Sequence, residues 1–148
     1  PIIFNDNLEY TFYGRFKTAD NVAGDTNSII SSFTVLCSDP FKHGKIQIVK
    51  NKVIEVLPYP VKPDRLSFKL LTGGLLATDG NYRLKSSQAK KGDLLEFDFQ
   101  SGNTFINGKV NNNLLDLDSD FKNIRLTTGT DFSSSNYELT IQYRKAVL

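Results

Sequence analysis

Three spacings of acidic, cysteine and histidine residues in this 148-residue chain could in principle support chemistry. Asp116-x-Asp118-x-Asp120 imitates the first three ligands of an EF-hand loop, which binds Ca²⁺ through carboxylate oxygens. The imitation fails because Phe121 stands where the sharp turn needs Gly, and Thr127 stands where the loop needs a bidentate Glu. The spacing therefore predicts a solvated acidic turn.

The other two candidates are a pair of carboxylates and a Cys–His pair. Glu96 and Asp98 share one face of a strand, as the two acids of a glycosidase could, but this spacing is also typical of the wet face of an antiparallel sheet. Cys37 and His43 are too few for structural zinc, and no electropositive cleft is indicated that would activate the thiol. We predict Cys37 to be a small core residue, and we expect no catalytic residue, no metal and no cofactor.

The strands that would position these side chains are clearest in residues 93–110. Apolar and acidic residues alternate there with a period of two, which gives a strand one apolar face and one polar face: Leu95, Phe97 and Phe99 against Glu96 and Asp98. Turns at 101–103 and at Asn107-Gly108, a strong hairpin signal, divide the stretch into three antiparallel strands. An apolar sheet face needs a second layer to cover it.

The remaining strands supply that layer. Residues 65–71 alternate in the same way, and the last strand alternates four apolar residues with polar ones: Tyr137, Leu139, Ile141 and Tyr143. Residues 46–49 and 53–57 flank Lys50-Asn51-Lys52 and predict a hairpin. About ten short strands, with no helical period, predict an all-β antiparallel sandwich over residues 45–148.

Residues 1–44 predict a separate β-hairpin segment. Its two strands are residues 8–17 and 29–37, and its apolar face carries four candidate contact residues: Tyr10, Phe12, Phe33 and Val35. A lone hairpin is marginal in water, so we expect this face to be covered by another surface.

Composition excludes two classes of partner. The formal net charge of +2 comes from 18 basic and 16 acidic residues spread along the chain. No basic run is present, so nucleic-acid binding is not expected. No apolar run reaches the ~20 residues that a membrane span requires, so membrane insertion is not expected.

Several segments together resemble siphophage distal tail proteins. Residues 32–44, SFTVLCSDPFKHG, are similar to the family's F-x-C-x-D-P-Y-K-Y-G segment, which closes its N-terminal ring-forming domain. Residues 3–15 resemble the strand before it. Four later segments follow the family's C-terminal domain in order: 91–98, 105–108, 117–121 and 141–144. The chain departs from the family at residues 128–131, where Thr-Gly-Thr-Asp replaces a Pro-Gly-x-Asn step and a longer loop is expected.

The resemblance implies a structural role in the phage virion. It implies a galectin-like β-sandwich, similar to carbohydrate-binding modules, preceded by the end of the ring-forming domain, so the chain is expected to be a piece of a longer protein. Such proteins form a hexameric hub at the tail tip between the tail tube and the receptor-binding proteins, after synthesis in the host cytoplasm. Residues 1–44 would contact neighbouring copies, and residues 45–148 would project outward as a separate module.

A carbohydrate-binding module is the alternative, because sandwiches of this class often stack sugars on exposed aromatic rings. The candidates for contact with a host cell-surface saccharide are Tyr13, Tyr59 and Tyr82. Phe97, Phe99 and Phe105 are expected in the core. The absence of Trp weighs against this alternative.

Overall fold

The computed structural model describes residues 1–4, 7–19 and 33–148, and every regular element in this part of the chain is a β-strand. The described residues divide into two compact units, 1–44 with 147–148, and 45–146. No described segment forms a helix long and apolar enough to span a membrane. The strands are β1 (Ile2–Phe4), β2 (Asn7–Phe12), β3 (Gly14–Ala19), β4 (Phe33–Cys37), β5 (Lys42–Lys50), β6 (Arg65–Leu70), β7 (Leu75–Thr78), β8 (Arg83–Ser86), β9 (Leu94–Asp98), β10 (Thr104–Ile106), β11 (Lys109–Val110) and β12 (Tyr137–Val147).

The main sheet of the 45–146 unit has the order β12-β6-β9-β10-β11, with antiparallel neighbours. Its register places apolar residues of three strands side by side: Leu139, Phe68 and Leu95 in one row, and Ile141, Leu66 and Phe97 in the next. Each of these six side chains is almost completely buried. The rings of Phe68 and Phe97 meet edge to face with centroids 5.6 Å apart. The period-two prediction for these strands is confirmed.

The second layer consists of the β7–β8 hairpin and two long irregular segments. The segments pair with each other through the backbone: Val61 and Leu126 exchange both hydrogen bonds, at 2.9 and 2.7 Å, and the Val53 amide donates to the Thr130 carbonyl. The layer contributes ten buried apolar side chains: Val53, Leu57, Val61, Leu75, Ala77, Leu84, Leu114, Ile124, Leu126 and Phe132. The predicted all-β antiparallel sandwich is confirmed.

The face of the main sheet opposite the core is polar, as the alternation predicts. Arg65 lies directly opposite Asp98 across β6 and β9. Its guanidinium reaches both carboxylates of β9, at 3.4 Å from Glu96 and 3.3 Å from Asp98. Asp98 also accepts the amides of Gln100 and Ser101 at the turn that follows. Partial burial by itself would raise the pKa of Asp98, but these amides and the Arg65 guanidinium outweigh it and lower the pKa.

The 1–44 unit corrects the predicted N-terminal hairpin. The predicted strand 8–17 is two strands, broken at Tyr13: β2 pairs with β1 and, at Thr11–His43, with β5, whereas β3 pairs with β4. Tyr10 and Phe12 therefore do not share a ribbon with Phe33 and Val35. Residues 29–32 of the predicted second strand lie outside the described residues.

The predicted hairpin around residues 50–52 is also wrong. Asn51 has a φ of 57°, so the chain does turn there. However, Lys52 then pairs with Asp131, and Val53 bonds to Thr130 in the second layer instead of returning along β5. Asn51 meanwhile exchanges two hydrogen bonds of 3.1 Å with the backbone of Leu139. Core burial of Val53 and Leu57 outweighs local strand pairing at this position.

Phe97→Ala tests the central packing. Phe97 is fully buried between the rings of Phe68 and Phe121, so we expect a loss of about 3–5 kcal/mol in the free energy of unfolding, measured by denaturant titration. Leu76→Ala, on a side chain that is 58% exposed, is the control and should change stability by less than about 0.5 kcal/mol. A similar small effect for both variants would contradict the assigned core.

Asp98→Asn tests the polar face. A carboxylate whose pKa is lowered by folding stabilises the native state above its unfolded pKa, about 3.9, and this contribution is lost as pH falls through the folded pKa. We therefore expect wild type to lose stability more steeply than the variant below about pH 4, and to be the more stable of the two at neutral pH. Denaturation midpoints measured along a pH series would show this, and parallel pH profiles would contradict it.

Candidate interaction surfaces

Among the described residues, the ribbon of β3 and β4 presents an exposed apolar face. Phe16 lies opposite Val35, and Phe33 lies two residues before Val35, so all three side chains are on the same side of the ribbon. Phe16 is 70% exposed and Phe33 58% exposed, and their ring centroids are 5.4 Å apart. We call these three residues the β3–β4 apolar face. Cys37 follows on the same side and is exposed, so the prediction of a core cysteine is wrong.

Gly14 allows the two strands of this ribbon to fit together. It lies opposite Cys37 in the register. A Cβ atom at position 14 would come within 2.9 Å of the Val35 Cγ1, 3.0 Å of the Cys37 Sγ and 3.0 Å of the Leu36 carbonyl oxygen. Contacts this short require the neighbouring atoms to shift, so a side chain at this position would strain the observed pairing.

The other two predicted contact residues lie elsewhere in the same unit. Tyr10 and Phe12 are half-buried on β2. The Lys42 ammonium lies 6.0 Å from the centroid of the Tyr10 ring, a cation–π arrangement that helps to cover that ring. The structure thus brings Phe33 and Val35 together with Phe16, which the sequence analysis did not select. The role of all four predicted residues in contacts stays a prediction.

The single histidine lies at the start of β5 and contacts the turn that precedes it. The carboxylate of Asp39 accepts the Phe41 amide at 3.0 Å and lies 2.7 Å from His43 Nε2. Burial alone would raise the pKa of Asp39, but the Phe41 amide and His43 lower it. The Tyr13 ring meets the imidazole edge-on at 5.4 Å. These contacts give His43 a structural partner in the turn after β4.

The three tyrosines proposed for sugar stacking are split between the units. Tyr13 is 38% exposed in the 1–44 unit, whereas Tyr59 and Tyr82 are half-buried in the 45–146 unit. Their role in binding stays a prediction.

The acidic turn at residues 116–120 holds its own loop against β8 through hydrogen bonds and ion pairs. Asp116 accepts both the amide and the hydroxyl of Ser87, and its carboxylate lies 3.5 Å from Lys85 Nζ. Asp118 lies within 3.7 Å of Arg83 and Lys85, and Asp120 accepts the Arg83 amide at 3.0 Å. Within the described residues no group of three or more His, Cys, Asp or Glu side chains could hold a metal ion. These three carboxylates therefore serve as structural acceptors.

Beside this turn lies a cleft of about 880 Å³ that the sequence analysis did not find. Its walls are the turn at residues 99–104 and the loop at residues 111–123, with Lys62 at one side. Phe121 lies against Phe99 with ring centroids 4.7 Å apart. We call this the Phe121 cleft. The available signal in the sequence was the Asn-rich, Asp-rich loop that follows β11, but its position beside the 99–104 turn depends on tertiary packing.

Gly14→Ala tests the pairing of β3 with β4. We expect loss of the β3–β4 cross-strand contacts in nuclear Overhauser spectra and earlier exchange of the β4 amides, because the new methyl group would meet Val35 and the Leu36 carbonyl. Gly73→Ala is the matched control, since a Cβ there meets no atom within 4 Å. Unchanged contacts in the Gly14 variant would show that the strands are less closely fitted than observed.

Comparison with known proteins connects this architecture to phage tails. Residues 75–146 match the family of siphovirus-type tail components, C-terminal domain. No curated protein matches the chain significantly. Among solved structures, the chain is similar to SPP1 Dit (gp 19.1), a paradigm of the hub of the adsorption apparatus in phages that infect Gram-positive bacteria.

That similarity has a TM-score of 0.66 at 19% sequence identity, and it covers all of this chain but 64% of SPP1 Dit. It shows a shared fold along the whole chain, while the family match covers the second half of the sandwich and its last strand. Residues 75–146 therefore resemble the C-terminal domain of siphovirus-type tail components, and the chain shares its fold with SPP1 Dit.

Proposed function

We propose that this chain belongs to a hub in which six copies form a closed ring between the tail tube and the receptor-binding proteins. Residues 1–44 contribute to the ring, and residues 45–148 form a separate module that faces the other tail-tip proteins. The family match at residues 75–146 and the likeness to a hub protein support this proposal. The observation that carries it is the β3–β4 apolar face.

The exposure of this face is costly for an isolated chain. A two-stranded ribbon is marginally stable by itself, and its unpaired edges invite pairing with another chain. Covering a Phe side chain is worth roughly 1.5–3 kcal/mol, and Phe16 and Phe33 are adjacent, so one partner surface can cover both. In the proposed ring, that surface belongs to a neighbouring copy.

Phe33→Ser in the hub protein tests the proposal. We expect the ring to be lost or its dissociation constant to rise by about ten- to a hundredfold, because removing a buried ring from an interface costs roughly 1.5–3 kcal/mol. Native mass spectrometry and particle images would give the number of copies. Circular dichroism would check that the variant remains folded.

Leu76→Ser is the matched control for this experiment. Leu76 has the same 58% exposure as Phe33 but lies on β7 in the other unit. We expect it to leave the ring intact. If Phe33→Ser also leaves the ring intact, the contacts between copies lie elsewhere; if residues 45–148 unfold when 1–44 are deleted, the proposed division into modules is wrong.

A further inference from the structure

The Phe121 cleft combines two kinds of group, aromatic rings and side-chain amides. One kind is aromatic: Phe121 is half-buried against Phe99, so part of its ring remains accessible at the cleft. The other kind is planar amide, contributed by Gln100, Asn112 and Asn123. Flat apolar rings flanked by amide donors and acceptors match a sugar ring, which presents apolar C–H groups on its faces and hydroxyls around its rim.

The polar side chains of the cleft have unused hydrogen-bonding capacity. Asn112 accepts the Thr104 amide and donates once to Asn103, which leaves a second N–H. Gln100 donates to Asp64 through its amide nitrogen, and its carbonyl oxygen accepts no hydrogen bond from the described residues. Asn123 and Lys122 are exposed, and their side chains make no hydrogen bond within the described part of the chain.

Three backbone amides at the cleft already have partners. The amides of Gly102, Asp120 and Asn123 donate to carbonyls of their own turns or of β8, at 2.9, 2.7 and 2.9 Å. Strand addition by a peptide needs a row of free backbone donors and acceptors, and these three amides are not free to take part. The polar side chains are therefore the groups considered for recognition of a ligand.

The charged side chains that line the cleft sum to zero, and hydrogen bonds hold its two walls in place. Two lysines and two aspartates line it, so it carries no excess of positive charge to select a phosphate. Asp120 fixes one wall to β8 through the Arg83 amide, and the Asn112–Asn103 bond joins the two walls. A site that is formed before binding does not lose ordering free energy when a weak neutral ligand enters.

We propose that the Phe121 cleft is a binding site for a neutral saccharide. The accessible part of the Phe121 ring contacts an apolar face of the sugar, and the free amide groups of Asn112 and Asn123 bond its hydroxyls. This inference does not depend on the ring proposed above, because all of the residues that form the site lie in one chain and one unit.

Titration of the isotopically labelled protein tests the proposal. The probes are galactose, glucose, N-acetylglucosamine and, as an anion, glycerol 3-phosphate, each added to millimolar concentration. We expect at least one of the neutral sugars to shift the amide signals of residues 99–104 and 111–123, with a Kd on the order of 1 mM or below. Asn123→Ala should weaken that binding about three- to tenfold through one lost hydrogen bond, with an unchanged unfolding temperature.

Two variants complete the experiment. Phe121→Leu keeps an apolar side chain but removes the aromatic face, and we expect it to weaken binding at least as much as Asn123→Ala. Lys91→Ala, on an exposed turn outside the cleft, should leave the Kd unchanged. The proposal is overturned if no neutral sugar shifts these signals, if the shifts map to another surface, if Asn123→Ala binds like wild type, or if only glycerol 3-phosphate binds.

Discussion

The fold depends on removing one sheet face from water. β12, β6 and β9 align their apolar side chains in rows, so Phe68 and Phe97 lie within a continuous apolar surface. The hydrophobic effect requires a cover for that surface but does not prescribe the form of the cover. In the described part of the 45–146 unit the cover is one short hairpin and two irregular segments. The apolar face of the main sheet therefore determines where the second, irregular layer must lie.

An irregular cover must satisfy its own backbone polar groups, because buried amides and carbonyls without partners are costly. The chain does this with backbone pairing between the irregular segments and with short side chains. Thr128 accepts the Leu57 amide, Thr130 accepts the Thr127 amide, and Ser119 both accepts from and donates to the backbone of Lys85. These bonds give the loops partners for backbone groups that a strand ladder would otherwise satisfy.

The sequence predicted those parts of the molecule that depend on local alternation. The alternation in β6, β9 and β12 identifies both faces correctly, because each side chain's direction follows from its position in the strand. Pairing is less local: the three-stranded meander of residues 93–110 was predicted correctly, whereas the predicted hairpins at residues 8–37 and 50–52 were wrong. Asn51 does turn the chain, but Val53 fits the core better than it fits beside β5. The Phe121 cleft was not predictable because its two walls meet only after the sandwich has packed.

The β3–β4 apolar face is a second case in which the sequence pattern does not predict the packing partner. Phe33, Val35 and Leu36 make this an apolar strand, and the sequence alone therefore placed Cys37, at its end, in a core. An apolar strand face indicates that another surface must cover it, but it does not indicate whether that surface belongs to the same chain. In the 45–146 unit the cover comes from the same chain. In the described part of the 1–44 unit the face stays exposed, so the requirement that closes the sandwich internally is left unmet there, and this is why we propose that a neighbouring copy covers the face.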